Sequence, residues 1–142
     1  INLRIACQKQ CLGRSRIWRK TRNGPYVPSM LVANERKFVA SDSGIISCFA
    51  KSDGKELWKQ RVGPGFSASP VLINDYIYLP DEQGTVHVFL NANKYQKIAK
   101  NDLDGGGMAS LAVSRGRIYI RTDQHLFLYW YTYEVITSRF RS

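Results

Sequence analysis

Apolar residues alternate with less apolar ones along Thr85-Val86-His87-Val88-Phe89, the period-two pattern of a half-buried β-strand. No stretch of the body carries an apolar stripe of helical period over three turns, so amphipathic helices are not expected. The same region divides into four short candidate strands: Ser67 to Ile73, Tyr76 to Pro80, Thr85 to Leu90 and Tyr95 to Ala99. Asn74-Asp75 is a two-residue turn whose side chains tolerate positive φ, and Asp81 to Gly84 is a four-residue loop ending on glycine. Strands joined this way are hairpins, and the fold class is all-β.

The unit recurs. Residues 18 to 49 return without a gap at residues 58 to 89, a shift of 40. Trp18 and Trp58, Ser29 and Ser69, Asn34 and Asn74, Gly44 and Gly84, and Phe49 and Phe89 are identical at that offset. Residue class is kept at Tyr26 and Phe66, Phe38 and Tyr78, Asp42 and Glu82, and Ile46 and Val86. With one residue inserted in Gly105-Gly106-Gly107, a third copy aligns Ser69 with Ser110 and Ile77-Tyr78-Leu79 with Ile118-Tyr119-Ile120. A 40-residue period of short strands predicts a partial β-propeller of about three four-stranded antiparallel blades. We divide the chain into a basic segment (1–16), repeats (17–57, 58–98 and 99–130) and an unmatched tail (131–142). The repeated tryptophans are expected to fill gaps between blades.

Gly54-Lys55-Glu56-Leu57-Trp58, Ser69-Pro70-Val71, Tyr76-Ile77-Tyr78 and Gly84-Thr85-Val86 with Phe89 together resemble the pyrroloquinoline-quinone-like (PQQ-like) propeller repeat over about residues 17–129. The resemblance implies blades similar to those of quinone-dependent dehydrogenases. It equally implies kinship with non-enzymatic members, exported bacterial propellers and the outer-membrane assembly lipoprotein among them. Departures from the repeat are Met30 and Leu111 in the place of Pro70, Ala99 in that of the tryptophan, and His125 in that of Gly44 and Gly84.

About three copies fall short of the roughly four to eight blades of a closed propeller. With Ile1 in place of an initiator methionine, we expect a piece of a larger ring. Open blade faces and unpaired edges then favour marginal stability and self-association. The segment from Trp130 to Ile136, rich in aromatic and β-forming residues, is either an outer strand or an unrelated tail.

The net charge of +10 raises a nucleic-acid reading, but its distribution argues against one. Residues 1–22 hold seven basic and no acidic residues, whereas residues 23–130 hold twelve basic against ten acidic, a net +2. The basic arm could bind an anionic polymer or lipid by charge alone, yet base-stacking and groove-reading motifs are missing. No apolar stretch approaches the roughly 20 residues of a membrane helix. The first residues lack the apolar core of a secretory signal. The resemblance implies a periplasmic or otherwise exported parent whose signal lies upstream of Ile1.

Candidate chemistry is sparse. Cys7 and Cys11 would close a very small disulfide loop in an oxidising compartment, and Cys48, aligned with Val88, reads as a small buried hydrophobe. No zinc spacing or haem motif accompanies them. His87 and His125 occupy different repeat positions, so no shared histidine site recurs. Ser41-Asp42, Asp81-Glu82 and Thr122-Asp123 share an acid at the second position, which reads as a turn that bonds backbone amides. Asp102-Leu103-Asp104-Gly105 resembles the start of a calcium loop without its later ligands. Phosphate-loop, nucleophile-elbow and zinc-protease motifs do not occur.

The residues therefore point to a non-catalytic interaction scaffold, with neither cofactor nor metal, whose partner is a protein or a glycan. Binding is expected on rim loops, which a propeller holds rigid. The candidates are Asn23 and Gly24, Gly63 and Gly65, and Asp104 and Gly106, three equivalent glycine-rich loops, with Arg61 and Arg121 nearby. The alternative is a fragment of a PQQ-dependent alcohol or sugar dehydrogenase. Quinone and calcium would then be required, with a tryptophan floor, a catalytic aspartate and often adjacent cysteines, but the chain has no Cys-Cys pair.

Overall fold

A computed structural model describes residues 24–131 of the protein. Asn23, Cys7, Cys11, Trp18, the rest of the basic arm and the tail beyond Tyr131 lie outside the described residues. The described part is all-β, with eleven strands in three antiparallel sheets. The first sheet is β1 (Leu31–Ala33), β2 (Arg36–Ala40), β3 (Ile45–Ala50) and β4 (Glu56–Arg61), paired in chain order. The second repeats that order with β5 (Val71–Ile73), β6 (Tyr76–Pro80), β7 (Thr85–Leu90) and β8 (Lys97–Asp102). The third contains β9 (Ala112–Ser114), β10 (Arg117–Arg121) and β11 (Leu126–Trp130) among the described residues. The strand that carries Trp58 closes the first sheet, so a repeat measured from tryptophan to tryptophan is out of phase with the sheets by one strand.

Local chemistry explains the meanders. Asn34 and Asn74, between the first two strands of their sheets, adopt φ of 53° and 55°, a left-handed conformation that asparagine accepts readily. In the third sheet that place falls to Arg115, at φ 48°, followed by Gly116. β5 begins later than the alternation implies, because Pro70 has no N–H to donate and the Ser69 amide bonds outside the ladder. β8 also begins later: Tyr95 turns its ring against Trp58, with centroids 5.4 Å apart, before the strand starts.

The first two sheets share a bulge. Cys48 pairs with Trp58 and Phe49 with Glu56, which leaves Leu57 as an extra residue; Val88 with Ala99 and Phe89 with Lys97 leave Ile98 in the same way. The extra residue lets two adjacent side chains reach a core, Leu57 with Trp58 and Ile98 with Ala99. These pairings also correct the position of the inserted residue. The β7–β8 loop has six residues (91–96) where the β3–β4 loop has five (51–55), so the offset changes there rather than in Gly105-Gly106-Gly107.

Two cores lie between the three sheets. Phe38, Ile46 and Cys48 pack with Ile77, Leu79 and Phe89 of the next sheet, closed by Phe66 and Trp58. Tyr78, Val86 and Val88 pack with Ile118 and Ile120 of the third. Trp58 stands edge-on to Phe89 (87° between planes), and its indole N–H donates to the Ala92 carbonyl at 3.0 Å. The expectation that the tryptophan joins blades holds for Trp58.

Burial sets the ionisation of these cores. The Cys48 thiol is pushed up to about 11 by desolvation, with nearby Arg36 pulling it back in part. Desolvation also raises Tyr78, Tyr95 and Tyr129. An acid held neutral in the fold stabilises below its unfolded pKa and loses that contribution as pH rises through the folded value. Stability should therefore fall from about pH 9 to pH 11, followed by denaturant midpoint, with a shallower fall in Cys48→Val. At neutral pH, Trp58→Ala should cost roughly 3–5 kcal/mol in urea unfolding, from the lost indole and the cavity it leaves.

Candidate functional site

The topology brings the β2–β3 turns and the connections into β5 and β9 to one rim, and their contacts repeat from sheet to sheet. Ser41 Oγ, Asp81 Oδ1 and Thr122 Oγ1 accept the amides of Ile45, Thr85 and His125 at 3.2, 3.0 and 3.0 Å. The amides of Ser41, Asp81 and Thr122 donate in return to the carbonyls of those three residues. The residue that closes the turn is thus the first of each pair, serine, aspartate or threonine, and not the shared acid after it. Instead, Asp42 Oδ1 accepts the Val27 amide at 3.4 Å, and Glu82 Oε1 accepts the Ser67 hydroxyl at 2.6 Å. Val27 and Ser67 are repeat counterparts, so each of these acids ties down the loop entering its own sheet.

The same contacts correct the place of His125. It bonds as Ile45 and Thr85 do, and Arg121 pairs with Leu126 where Ala40 pairs with Ile46 and Pro80 with Val86. The third turn is therefore one residue shorter, and the glycine is deleted rather than replaced by histidine. That shortening puts Phe127 in the place of His87. It also places Trp130 at the end of β11, opposite Arg117.

The deleted glycine has a job in the other two turns. Gly44 and Gly84 sit at φ 77° and 88°, and a Cβ on either would collide with the carbonyl of Gly63 or Gly105 in the following loop. Backbone bonds lock the approach: the Val62 amide donates to Gly44 and the Leu103 amide to Gly84, at 2.9 and 3.1 Å.

Below Gly63 lies a buried pair absent from the other sheets. Asp81 Oδ2 and His87 Nε2 are 2.8 Å apart, with the Phe66 ring edge-on to the imidazole. A Cβ on Gly63 would approach Phe66, His87 and Asp81 at 3.1–3.3 Å, so the glycine roofs the pair. Asp81 accepts bonds from His87 and from the amides of Gln83 and Thr85, which satisfies a carboxylate the sheets enclose. His87 is buried in the core.

Among the candidate binding residues, Gly65 and Gly106 flank Glu82: the Gly65 carbonyl accepts the Glu82 amide, and a Cβ on Gly106 would lie 2.7 Å from the Glu82 carbonyl. Arg61, on the first sheet, donates to the Ser43 carbonyl at 2.7 Å, and Arg121 ends β10 on the third, so the two arginines do not meet at one site. Asp104 is exposed, and around Gly24 a Cβ would find open space. A cleft of about 10 Å³ between Gly84, Leu103, Gly107 and Arg121 has room for no more than a water. Asp102, exposed on β8, is held below the usual carboxylate range by the Thr85 hydroxyl at 2.7 Å, with Lys100 adding to the effect.

The sequence did not disclose what the repeated serines do. The Ser29 amide donates to Ser69 Oγ at 2.9 Å, and the Ser69 amide donates to Ser110 Oγ at 2.8 Å, a hydrogen bond handed from each sheet to the next. On the opposite rim Arg36 reaches across to Asn93 at 2.7 Å and Asn91 at 3.3 Å.

Trp58 is wedged between two sheets, Asp81 is enclosed with His87, and no group of three His, Cys, Asp or Glu among the described residues could hold a metal ion.

The family model described as outer membrane protein assembly factor BamB matches residues 12–94 and 42–129, and the chain belongs to that family. Among solved structures, BamB from Moraxella catarrhalis is similar with a TM-score of 0.59 and 24% identity, over 71% of this chain and 30% of that one. A europium-containing methanol dehydrogenase aligns with a TM-score of 0.48 and 21% identity over 53% of this chain and 15% of that one. Apo AztD from Citrobacter koseri aligns with a TM-score of 0.46 and 14% identity over 56% and 25%. The chain thus spans less than a third of the length of each, and no curated protein matches it.

Gly84→Ala should destabilise the protein by roughly 2–5 kcal/mol, the sum of left-handed strain and the collision with Gly105. Gly24→Ala, in open space, should leave the urea midpoint unchanged.

Proposed function

We propose that the chain is a propeller segment that scaffolds protein contacts in an exported, periplasmic setting, without chemistry of its own. The observation that carries this reading is the commitment of the reactive side chains to the scaffold: Asp81 and His87 bond each other inside the sheets, and Asp42 and Glu82 anchor entry loops. A rim braced in this way presents its exposed groups in fixed positions, which suits recognition. Membership of the BamB family supports a role in outer-membrane protein assembly, with β-barrel proteins or their assembly partners as the contacts. No helix among the described residues is long and apolar enough to cross a membrane. A quinone dehydrogenase remains the second reading, carried by the blade motif that the two classes share.

Two measurements separate them. The purified chain should bind detergent-solubilised outer-membrane β-barrel proteins saturably, and the pair Asp104→Lys with Arg121→Glu should weaken binding about tenfold through the rim. Pyrroloquinoline quinone with Ca²⁺ should leave tryptophan fluorescence unchanged and support no dye-linked oxidation of alcohols or sugars. Oxidation that a chelator abolishes would establish the dehydrogenase instead.

A further inference from the structure

The third sheet turns one face to solvent, and that face differs in kind from its counterparts. Ile118, Ile120, Phe127 and Tyr129 point toward the second sheet, so alternation sends their neighbours the other way. Cross-strand pairs there set Leu126 beside Arg121, Leu128 beside Tyr119 and Trp130 beside Arg117. Leu126 is 70% exposed, Leu128 48% and Trp130 63%. The same pairs are Ile46 with Ala40, Cys48 with Phe38 and Ala50 with Arg36 in the first sheet, and Val86 with Pro80, Val88 with Tyr78 and Leu90 with Tyr76 in the second.

The differences run in one direction. Arg121 stands where Ala40 and Pro80 are buried, and Ser114 where Ala33 and Ile73 are buried, while Trp130 replaces the half-buried Ala50 and Leu90. A further sheet packed on this face would enclose the Arg121 guanidinium without an acceptor, which is strongly unfavourable. Arg36 donates to Asn91 and Asn93, whereas Arg117 and Arg121 make no side-chain hydrogen bond or ion pair among the described residues. The Arg117 guanidinium lies 4.2 Å over the Trp130 ring instead. β9, β10 and β11 contain no Asp or Glu.

The face is also layered. Leu126, Leu128 and Trp130 form an apolar row on β11, and Arg117, Tyr119 and Arg121 form a cationic and phenolic row on β10, one strand spacing of about 4.8 Å behind. Leucines with an indole, then a tyrosine between arginines, reproduce the order met on crossing from the acyl boundary of a bilayer to its phosphates. Arginine stems can follow the apolar row while their heads stay at phosphate level.

We propose that this face binds the surface of an anionic phospholipid bilayer. Leu126, Leu128 and Trp130 enter the boundary between headgroups and acyl chains, and Arg117 and Arg121 donate to lipid phosphates. Only side chains reach that depth, so the backbone stays among hydrated headgroups that can satisfy it. The contact is additional to protein contacts at the rim, and Arg121, where face and rim meet, is left unaltered in the test.

The test is cosedimentation of the full 142-residue chain with vesicles of phosphatidylethanolamine and phosphatidylglycerol at physiological salt. The wild type should bind these vesicles, and about tenfold more weakly those of phosphatidylcholine alone. Leu126→Glu and Leu128→Glu should each weaken binding about tenfold or more at unchanged melting temperature. Tyr26→Glu adds the same charge at an exposed aromatic position before the first sheet, and should bind as the wild type does. Lipids brominated on their acyl chains should quench part of the tryptophan emission, and Trp130→Phe should remove that part while still binding. A wild type that ignores the vesicles overturns the proposal; if Leu128→Glu then weakens binding of outer-membrane β-barrel proteins, the face is a protein contact instead. Vesicle binding that both leucine variants retain, or quenching that survives Trp130→Phe, also overturns it and assigns the contact to the basic residues of 1–22.

Discussion

A sheet with apolar residues on both faces cannot stand alone in water, and the rest of this structure follows from that constraint. In β3, Ile46 and Cys48 point one way while Ser47 and Phe49 point the other, and all four are buried. β7 repeats the arrangement with Val86 and Val88 against His87 and Phe89. Each sheet must therefore be covered twice, and a chain of such sheets stacks face to face. A serine bond recurs at both junctions on one rim, and the first junction adds an arginine bond on the other rim with a tryptophan between them. Trp58 is the largest side chain in the first junction. The second has Ala99 and Ile98 there, and Tyr78 with Tyr129 and Phe127 supplies the bulk instead.

Much of this was legible in the sequence because periodicity reports burial and turn chemistry reports backbone angle. The alternation in Thr85 to Phe89, the Asn-Glu and Asn-Asp turns and the 40-residue shift together define strands, hairpins and blades before any contact is known. Register was less accessible. An insertion in the 91–96 loop and a deletion in the 122–125 turn cancel in the residue count, so an alignment by offset sets His125 over a glycine it does not replace. The hydrogen bond between His125 and Thr122, matched to those of Ile45 with Ser41 and Thr85 with Asp81, and the pairing of Arg121 with Leu126 separate the two alignments.

The candidate site was legible as position but not as role. Glycine-rich loops at Gly63 and Gly105 are visible as loops, whereas the close approach of their carbonyls to Gly44 and Gly84, some twenty residues away, whose missing side chains admit them, is not. The serine at 29, 69 and 110 was visible as an identity, but a hydroxyl that accepts an amide one full repeat away leaves no mark in local sequence. The Asp81–His87 pair was hidden for a related reason. It occurs in one sheet only, and its two members sit six residues apart on a turn and a strand, a spacing with no motif behind it.

The third repeat shows what happens when one constraint is relaxed. Deleting the turn glycine shortens the β10–β11 hairpin by one residue, and the side chains past the turn shift by one position in the repeat alignment. Phe127 then falls where His87 lies, on the face toward the second sheet, and its ring stacks on Tyr129 at 12° between planes. The alternation is preserved, so Leu126, Leu128 and Trp130 must emerge together on the far face. Their size and exposure are thus not scattered substitutions. A strand that keeps both faces apolar after the turn is shortened has kept the pattern of a sheet packed on two sides, with one of those sides turned to solvent.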